Sequence, residues 1–505
     1  MSADDLFCEM SKKYRVLCFL DIADIVISHK KIFELFSEIR KDIFLPDERL
    51  VLYSSENLDQ IVLDHITRAA AKVDISNFFI LICNSHDISK KLKKANDKYG
   101  YDKNLICNEI INLKKTKLLN SSNLYDFKTM CASPFSQIQV DKNGDSRPCC
   151  KFNGTLGNLK NENTQSMFLN KNFSNVRKKM KNGIKIPECA VCWEHELSGT
   201  KSLRQLLLDK YEEKLNYGWL DNLEIRDLTI TPSNICNFKC RICDYGSSST
   251  IAAEKIQNSK STSEIHEIKK YLKEISIKNN KNFLIDSINN VSEYLENLHI
   301  LGGEPFMHPQ LEGVIDTLID NSTANKITLE FNSNGSIFPK NLIEKFQKFK
   351  SVEILLSIDD IGKRFEIQRG GKWEVVLENI KKFNEIKSEK IFIKIATTVN
   401  IQNILYLDEI YNFFHNCGID ILWWYLEDPW YYCIDYMNKD TQDAVIKKYR
   451  KHEDKELRNI ACRVASNSPF YNKDFLEACK YYDTMRNQKF SVAHKELIKL
   501  MTNEQ

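Results

Sequence analysis

From about residue 223 to about 430, six short apolar runs recur: "LEIRDLTIT", "LENLHIL", "KITLEFNS", "VEILLSID", "FIKIATTV" and "GIDILWWYLE". Stretches with helical spacing lie between them, among them "LEGVIDTLIDN" and "NLIEKFQKF". Apolar strands that alternate with amphipathic helices read as β/α units, and six such units predict a parallel sheet curling into an incomplete barrel. The segment 247–290 is long for one connection and reads as a helical insertion, and beyond about 430 the chain is charged and helical.

Period-two alternation along three of these runs tests the barrel. In "ITLEFNSN", Glu330, Asn332 and Asn334 share a face opposite Ile327, Leu329 and Phe331. In "VEILLSID", Ser357 and Asp359 oppose Ile354, Leu356 and Ile358. In "FIKIATTVN", Lys394, Thr398 and Asn400 oppose Ile393, Ile395 and Val399. A barrel filled only for packing would turn Val, Ile and Leu inward. One polar face and one apolar face predict a lumen that holds a ligand. Lys394 is a candidate proton donor or acceptor there, or a lysine with its stem along the wall and its head in water.

The 505 residues exceed one ordinary domain, and 42% hydrophobic content supplies sizeable cores. A formal charge of +3 does not indicate a broad nucleic-acid face. The start, "MSADDLFCEM", is acidic and has no signal-peptide pattern, and Asp21 and Asp24 break the apolar run "YRVLCFLDIADIVI", so no membrane span is expected. Sixteen cysteines without an export signal point to a reducing compartment, the cytoplasm, where clustered cysteines bind metal or do redox chemistry. The scattered ones, Cys8, Cys18, Cys83, Cys107, Cys417, Cys433, Cys462 and Cys479, are expected to be plain buried thiols. Residues 1–120 read as a small α/β unit with strands at "RLVLYSS" and "NFFILICN" and helical spacing around "KIFELFSEIRKDIF" and "LDQIVLDHITRAAAKV", without a chemical motif. Residues 121–205 are cysteine-rich, 206–430 hold the barrel, and 431–505 form a helical extension.

"NICNFKCRICDYG" places Cys236, Cys240 and Cys243 within eight residues, with no fourth cysteine or histidine close by. Three thiolates suit a catalytic zinc site with an open position. They also suit an iron–sulfur cluster with one open iron. The spacing Cys-x3-Cys-x2-Cys, with Ile242 before the last cysteine, resembles the signature of the radical SAM superfamily. The resemblance implies a partial (β/α)6 TIM-like barrel. It also implies a [4Fe–4S] cluster whose fourth iron binds S-adenosylmethionine and whose electron cleaves it to a 5′-deoxyadenosyl radical.

Further positions carry the resemblance. "LGGEP" after the second strand is similar to the family's GGE motif, which implies that Gly302, Gly303 and Glu304 hold the methionine ammonium. Ser357 and Asp359 correspond to strand-four contacts with the cofactor's ribose or carboxylate, and Arg369, in "EIQRGGKW", to an arginine on that carboxylate. Asn334 and Asn400 complete the implied cofactor set. The family's glycine-containing strand-five motif is not recognisable in "TTVNIQNI".

Cys131-x12-Gly144-x4-Cys149, followed by Cys189-x2-Cys192, resembles the twitch domain, a shortened SPASM domain with an auxiliary [4Fe–4S] cluster. The rival is a structural zinc ribbon. "QIQVDKNGDSRPC" reads as a hairpin turning at Asn143-Gly144, and Cys150 as a spare thiol. Twitch domains usually follow the barrel, whereas this one precedes it. The resemblance implies a radical SAM enzyme that oxidises or modifies a peptide, protein or small molecule by hydrogen abstraction. Its implied partner is an electron donor such as flavodoxin or ferredoxin. The alternative is a non-catalytic iron–sulfur or zinc scaffold with a degenerate barrel. The sequence shows no Ser-His-Asp arrangement, P-loop or HExxH helix.

Overall fold

Each of the six apolar runs folds into a strand: β7 (Asp227–Ile230), β8 (Asn297–Ile300), β9 (Thr328–Ser333), β10 (Ser351–Ser357), β11 (Ile391–Val399) and β12 (Ile421–Tyr425). They come from a computed structural model that describes residues 129–197, 201–211, 223–275 and 283–502, with the backbone of three short strands nearer the N-terminus. Those three are β1 (Leu17–Asp21), β2 (Val51–Ser54) and β3 (Phe79–Cys83), a parallel sheet in the order β1-β3-β2. β2 and β3 fall in the runs read as strands, whereas the helical stretches expected around them lie outside the described residues. The chain divides into two compact units. The first holds residues 1–135, 178–186 and 192–223; the second holds 136–177, 187–191 and 224–505.

In the second unit, β7 to β12 lie side by side in chain order, each parallel to the next. That order requires a crossover after every strand, which the helices provide. α1 (Ser249–Asn258) lies in the expected helical insertion and follows β7; α2 (Leu311–Asp320) follows β8, and α3 (Ile343–Phe346) follows β9. α4 (Gly362–Arg369) and α5 (Trp373–Glu385) follow β10, and α6 (Leu407–Asn416) follows β11. α2 buries Leu311, Val314, Ile315 and Leu318, the stripe that a 3.6-residue period predicts.

The alternation read from sequence is present in the strands. Leu329, Phe331, Ile354, Leu356, Ile393 and Ile395 are buried, while Glu330, Asn332, Ser357, Lys394 and Thr398 on the opposite face keep partial exposure. On that face His299 Nε2 and Asn332 Oδ1 are 2.9 Å apart, and Lys394 forms an ion pair with Glu353. Lys394 therefore has an acidic partner within the wall.

The cysteine-region hairpin forms as expected. β4 (Gln137–Val140) and β5 (Asp145–Arg147) pair antiparallel, and β6 (Gly157–Asn158) follows. Gly144, at φ +81°, donates to the Asp141 carbonyl at 2.9 Å. The conformation is one that glycine adopts without a Cβ penalty. The hairpin is not a separate sheet, however. β4 pairs parallel with β7, so all nine strands run as β12-β11-β10-β9-β8-β7-β4-β5-β6. Ile138 and Val140 are fully buried, and their apolar faces have nowhere else to go. The sheet curls far enough for Lys151, just past β5, to meet Glu427, just past β12, at 2.5 Å.

The tail is helical, as expected: α7 (Lys439–Tyr449), α8 (Lys455–Ser466), α9 (Lys473–Arg486), α10 (Phe490–Ala493) and α11 (Lys495–Met501). Asn438, Asp454 and Asn472 cap α7, α8 and α9, each accepting from an amide three residues on. His494 is buried and stacks on Phe490 at 3.9 Å. Its Nδ1 lies 3.2 Å from the Phe490 carbonyl and its Nε2 lies 3.1 Å from Gln368 Nε2, an arrangement that suits the neutral ring. No helix among the described residues is long and apolar enough to cross a membrane.

The scattered cysteines divide. Cys433 and Cys479 are buried, and burial pushes their thiols up to about 11 and about 12. Cys417 and Cys462 are exposed, contrary to expectation: one lies in the turn after α6 and the other on the outer side of α8. Cys8 and Cys107 lie outside the described residues, as do the side chains of Cys18 and Cys83.

Two stability measurements follow. Ile138→Ala should lower the unfolding free energy in urea by about 2–5 kcal/mol, the cost of emptying a buried site. A change below about 1 kcal/mol would show that the hairpin is not part of the sheet's core. His494 is held down to about 3 from 6.5 by burial. Its contribution is therefore complete above pH 6.5 and is lost as pH falls toward 3, by up to about 1.4 kcal/mol per pH unit. His494→Gln should flatten the acid limb of the stability profile relative to the wild type, and parallel profiles would refute this.

Candidate functional site

Past β7 the chain leaves regular structure, so the amides and carbonyls of 232–247 need partners from elsewhere. The start of α1 supplies several. Ser249 Oγ accepts from the Cys236 amide at 3.1 Å, Thr250 Oγ1 donates to the Cys236 carbonyl at 2.6 Å, and Ser248 Oγ donates to the Phe238 carbonyl at 2.6 Å. The run "SSST" was not singled out in the sequence, although serines ahead of a helical stretch are a known capping signal.

The second support is the segment after β8. The Gly303 amide donates to the Ser233 carbonyl at 3.2 Å, and Glu304 donates to Ile235 at 2.8 Å. A Cβ on Gly303 would stand 2.4 Å from the Ile235 carbonyl oxygen and 2.7 Å from Cys236 Cβ. Gly302 holds φ +143°. The two glycines thus let this segment close on the cysteine loop's own backbone. Glu304 is buried, and its carboxylate accepts from the Asn334 amide at 2.6 Å, Ser333 Oγ at 3.0 Å and the Phe306 amide at 3.1 Å. Burial pushes this carboxyl up to about 7, and the three donors pull the other way. A carboxylate offers about four lone-pair sites, so one acceptor position remains for an ammonium.

The third support is the end of α4. Gln368 and Arg369 carbonyls, free at a helix C-terminus, accept from the Arg241 amide at 2.8 Å and the Lys239 amide at 3.2 Å. Gly370 caps the helix at φ +74°. A Cβ on Gly371 would stand 2.1 Å from the Phe238 ring. This Gly-Gly pair, directly after Arg369, carried no role in the sequence reading.

The three cysteines differ in surroundings. Cys236 and Cys240 are buried and Cys243 is exposed. Cys236 Sγ accepts from the Phe238 amide at 3.4 Å and from Asn334 Nδ2 at 3.8 Å. The Cys243 thiol hydrogen-bonds to Cys240, which lowers the Cys240 pKa and raises its own, and the Arg369 charge reinforces the first effect. Among the described residues no three Cys, His, Asp or Glu side chains close on one point in the manner of a single-ion site.

Above the cysteines, Asp359 and Arg369 form a buried ion pair, and Asp359 also accepts from the Thr398 amide at 2.9 Å. Burial works against the Arg369 charge, yet Cys240, Asp359 and Cys243 outweigh it and hold the guanidinium protonated. Its Nε is buried and has no partner among the described residues. Such an atom is costly unless a ligand acceptor meets it. Ser357 closes β10, partly exposed, and its hydroxyl has no partner among the described residues. Asn400 is different: its amide nitrogen donates to the Thr398 carbonyl at 2.8 Å and its oxygen accepts from the Gln402 amide at 2.9 Å, so the side chain is taken up by its own turn. Cys236, Cys240, Glu304, Asn334, Asp359 and Arg369 are thus brought together, and the Asn400 side chain is engaged by its own turn.

The donor set fits a thiolate-bound cluster and a zwitterionic ligand. Two buried thiols, a third at the rim, N–H donors on sulfur, an unpaired guanidinium nitrogen for a carboxylate and a spare carboxylate acceptor for an ammonium are all present. Of the second constellation, Cys131 and Cys192 belong to the first unit and Cys149 and Cys189 to the second. Cys131, Cys149 and Cys192 are buried, Cys189 is partly so, and Cys150 is exposed.

Residues 230–414 match the profile of the radical SAM superfamily, and residues 131–193 match SPASM, an iron–sulfur cluster-binding domain. The first implies a [4Fe–4S] cluster and S-adenosylmethionine, the second an auxiliary iron–sulfur cluster. Among solved structures, native anSMEcpe with bound AdoMet is 17% identical, over 46% of this chain and 62% of that one, with a TM-score of 0.32. SuiB of Streptococcus suis is 16% identical over 51% of this chain and 56% of that one, at 0.29. SuiB bound to the precursor peptide SuiA is 16% identical over 72% and 74%, at 0.28. The chain thus spans less than two thirds of the first two. No curated protein matches it.

Gly303→Ala and Gly371→Ala should each destabilise the metal-free protein in urea by about 1–3 kcal/mol, because the neighbours are backbone and a buried ring. Gly313→Ala is the comparison, since its backbone is helical and a Cβ there would meet only the far end of the Ile285 side chain. Equal effects at all three positions would show that the close approach carries no weight.

Proposed function

We propose, for a chain that carries a radical SAM domain at 230–414 behind an iron–sulfur cluster-binding domain at 131–193, that it is a radical SAM enzyme acting on a peptide, a protein segment or a small molecule. The observation that carries this reading is the seating of the three-cysteine loop between the Gly302-Gly303-Glu304 segment and the Asp359–Arg369 pair. When bound, the cluster supplies the electron that divides S-adenosylmethionine into methionine and a 5′-deoxyadenosyl radical able to take hydrogen from an unactivated carbon.

The chain's own residues do the binding and orienting. Cys236, Cys240 and Cys243 hold the cluster, and Asn334 and the Phe238 amide donate to sulfur. Gly302, Gly303 and Glu304 receive the methionine ammonium, with Glu304 fixed by its three donors. Arg369 offers its unpaired Nε to the methionine carboxylate while Asp359 keeps the guanidinium in place. Ser357 supplies a hydroxyl for the ribose. Asn400, held in its turn, shapes the wall rather than reaching inward. Cys131, Cys149, Cys189 and Cys192, the cysteines of the iron–sulfur cluster-binding match read from the sequence, are the candidate ligands of the auxiliary cluster, whose part is electron transfer. Exposed aromatic side chains on and after the last barrel strand favour a peptide over a small molecule. Trp424 on β12 is 56% exposed, and Trp430, Tyr436 and Phe470 pack ring against ring within 6.1 Å at the surface.

Oxygen-free reconstitution tests this. Wild type, reduced and given S-adenosylmethionine, should form 5′-deoxyadenosine slowly even without substrate, and Cys240→Ala should form none. Cys149→Ala should lose one four-iron cluster and keep the other, and Cys150→Ala should lose neither. Product at wild-type level from Cys240→Ala, or zinc with only one four-iron cluster in the wild type, would overturn the corresponding assignment.

A further inference from the structure

Arg241 lies between the second and third cysteines, and nothing above gives it a role. Its side chain is fully buried. It points not to the lumen but to the helical tail, where Nη2 meets Asp483 Oδ1 at 2.6 Å and Gln488 Oε1 at 2.9 Å. Nε donates to the Ile367 carbonyl at 3.2 Å, so one guanidinium ties the cysteine loop to α4 and to α9 together. Tyr482 and Phe490 flank it, with its carbon 5.6 and 5.1 Å from their ring centres. A second strut runs alongside. Arg486 of α9 grips Glu254 of α1 at 2.7 Å, and Lys239 of the cysteine loop meets Glu254 at 2.8 Å. Arg486 lies 4.4 Å from the Tyr482 ring centre. Arg241 thus joins the three-cysteine loop directly to Asp483, 242 positions later in the chain, and Arg486 joins it indirectly, through Glu254 and Lys239.

We propose that Arg241 is the positioning residue of the three-cysteine loop and that residues 473–494 are its fixed counterpart, so that the tail belongs to the cluster-holding unit. Asp483 neutralises the arginine, and it also accepts from the Phe490 amide at 2.8 Å, which anchors the turn into α10. A tail that served only as a partner-docking appendage would not receive a buried charge from the cysteine loop. Breaking the link leaves a charge buried without its partner and frees the loop that must hold three thiolates in register.

This inference rests on the proposed function, and the test separates the two. Full-length protein is reconstituted without oxygen, reduced, and challenged with an iron chelator. Two clusters are followed by electron paramagnetic resonance, and the radical SAM cluster is the one whose signal changes when S-adenosylmethionine is added. Arg241→Gln and Asp483→Asn should each speed loss of that signal at least fivefold and leave the auxiliary signal within twofold of wild type. The double variant should be no faster than Arg241→Gln alone, since both act on one link. Arg241→Lys should recover part of the loss. Lys473→Ala, on the exposed side of α9, should change nothing. Equal acceleration of both clusters, or loss within twofold of wild type, would overturn the proposal. If Arg241→Gln does not fold, Asp483→Asn decides by the same criteria. A wild type with no S-adenosylmethionine-sensitive signal would refute the proposed function instead.

Discussion

The chemistry of this fold depends on three backbone segments approaching one another more closely than any side chain would allow. Ile235 and Cys236 meet Gly303, Phe238 meets Gly371, and the open carbonyls of α4 receive the amides of Lys239 and Arg241. An irregular loop must find partners for its peptide groups, and these segments provide them in place of a ladder. The glycines act between protein segments first, and any ligand contact is secondary to that closure.

Charge is handled in the same economical way. Glu304, Asp359, Arg369 and Arg241 are all buried, and each has a partner on a different element. A buried ion is stable only when its partners are in place, so each pair specifies the relative position of the elements it joins. Asp359 joins α4 to β11 through Arg369 and the Thr398 amide, and Glu304 joins the segment after β8 to the end of β9.

Much of this was legible in order along the chain. The six strands, the polar and apolar faces of β9 to β11, the turn at Gly144 and the helical tail all follow from local periodicity and turn chemistry. The same periodicity missed what depends on partners distant in sequence. "SSST" and the Gly-Gly after Arg369 look like ordinary loop residues until the cysteine loop lies across them. Asn400 shares the parity of Thr398, yet the chain has already turned at that point and its amide serves the turn. Cys417 and Cys462 were grouped with the buried thiols because composition cannot tell which side of a helix meets a neighbour.

What the sequence determined by itself was the set of elements and the kind of ligand chemistry, because periodicity and spacing act over a few residues and need no knowledge of the rest. Only the tertiary structure decided that the hairpin continues the barrel's sheet and that Arg241 reaches into the tail. Both are pairings between segments far apart in the chain, and they are selected by which buried edge or buried charge has no other partner within reach.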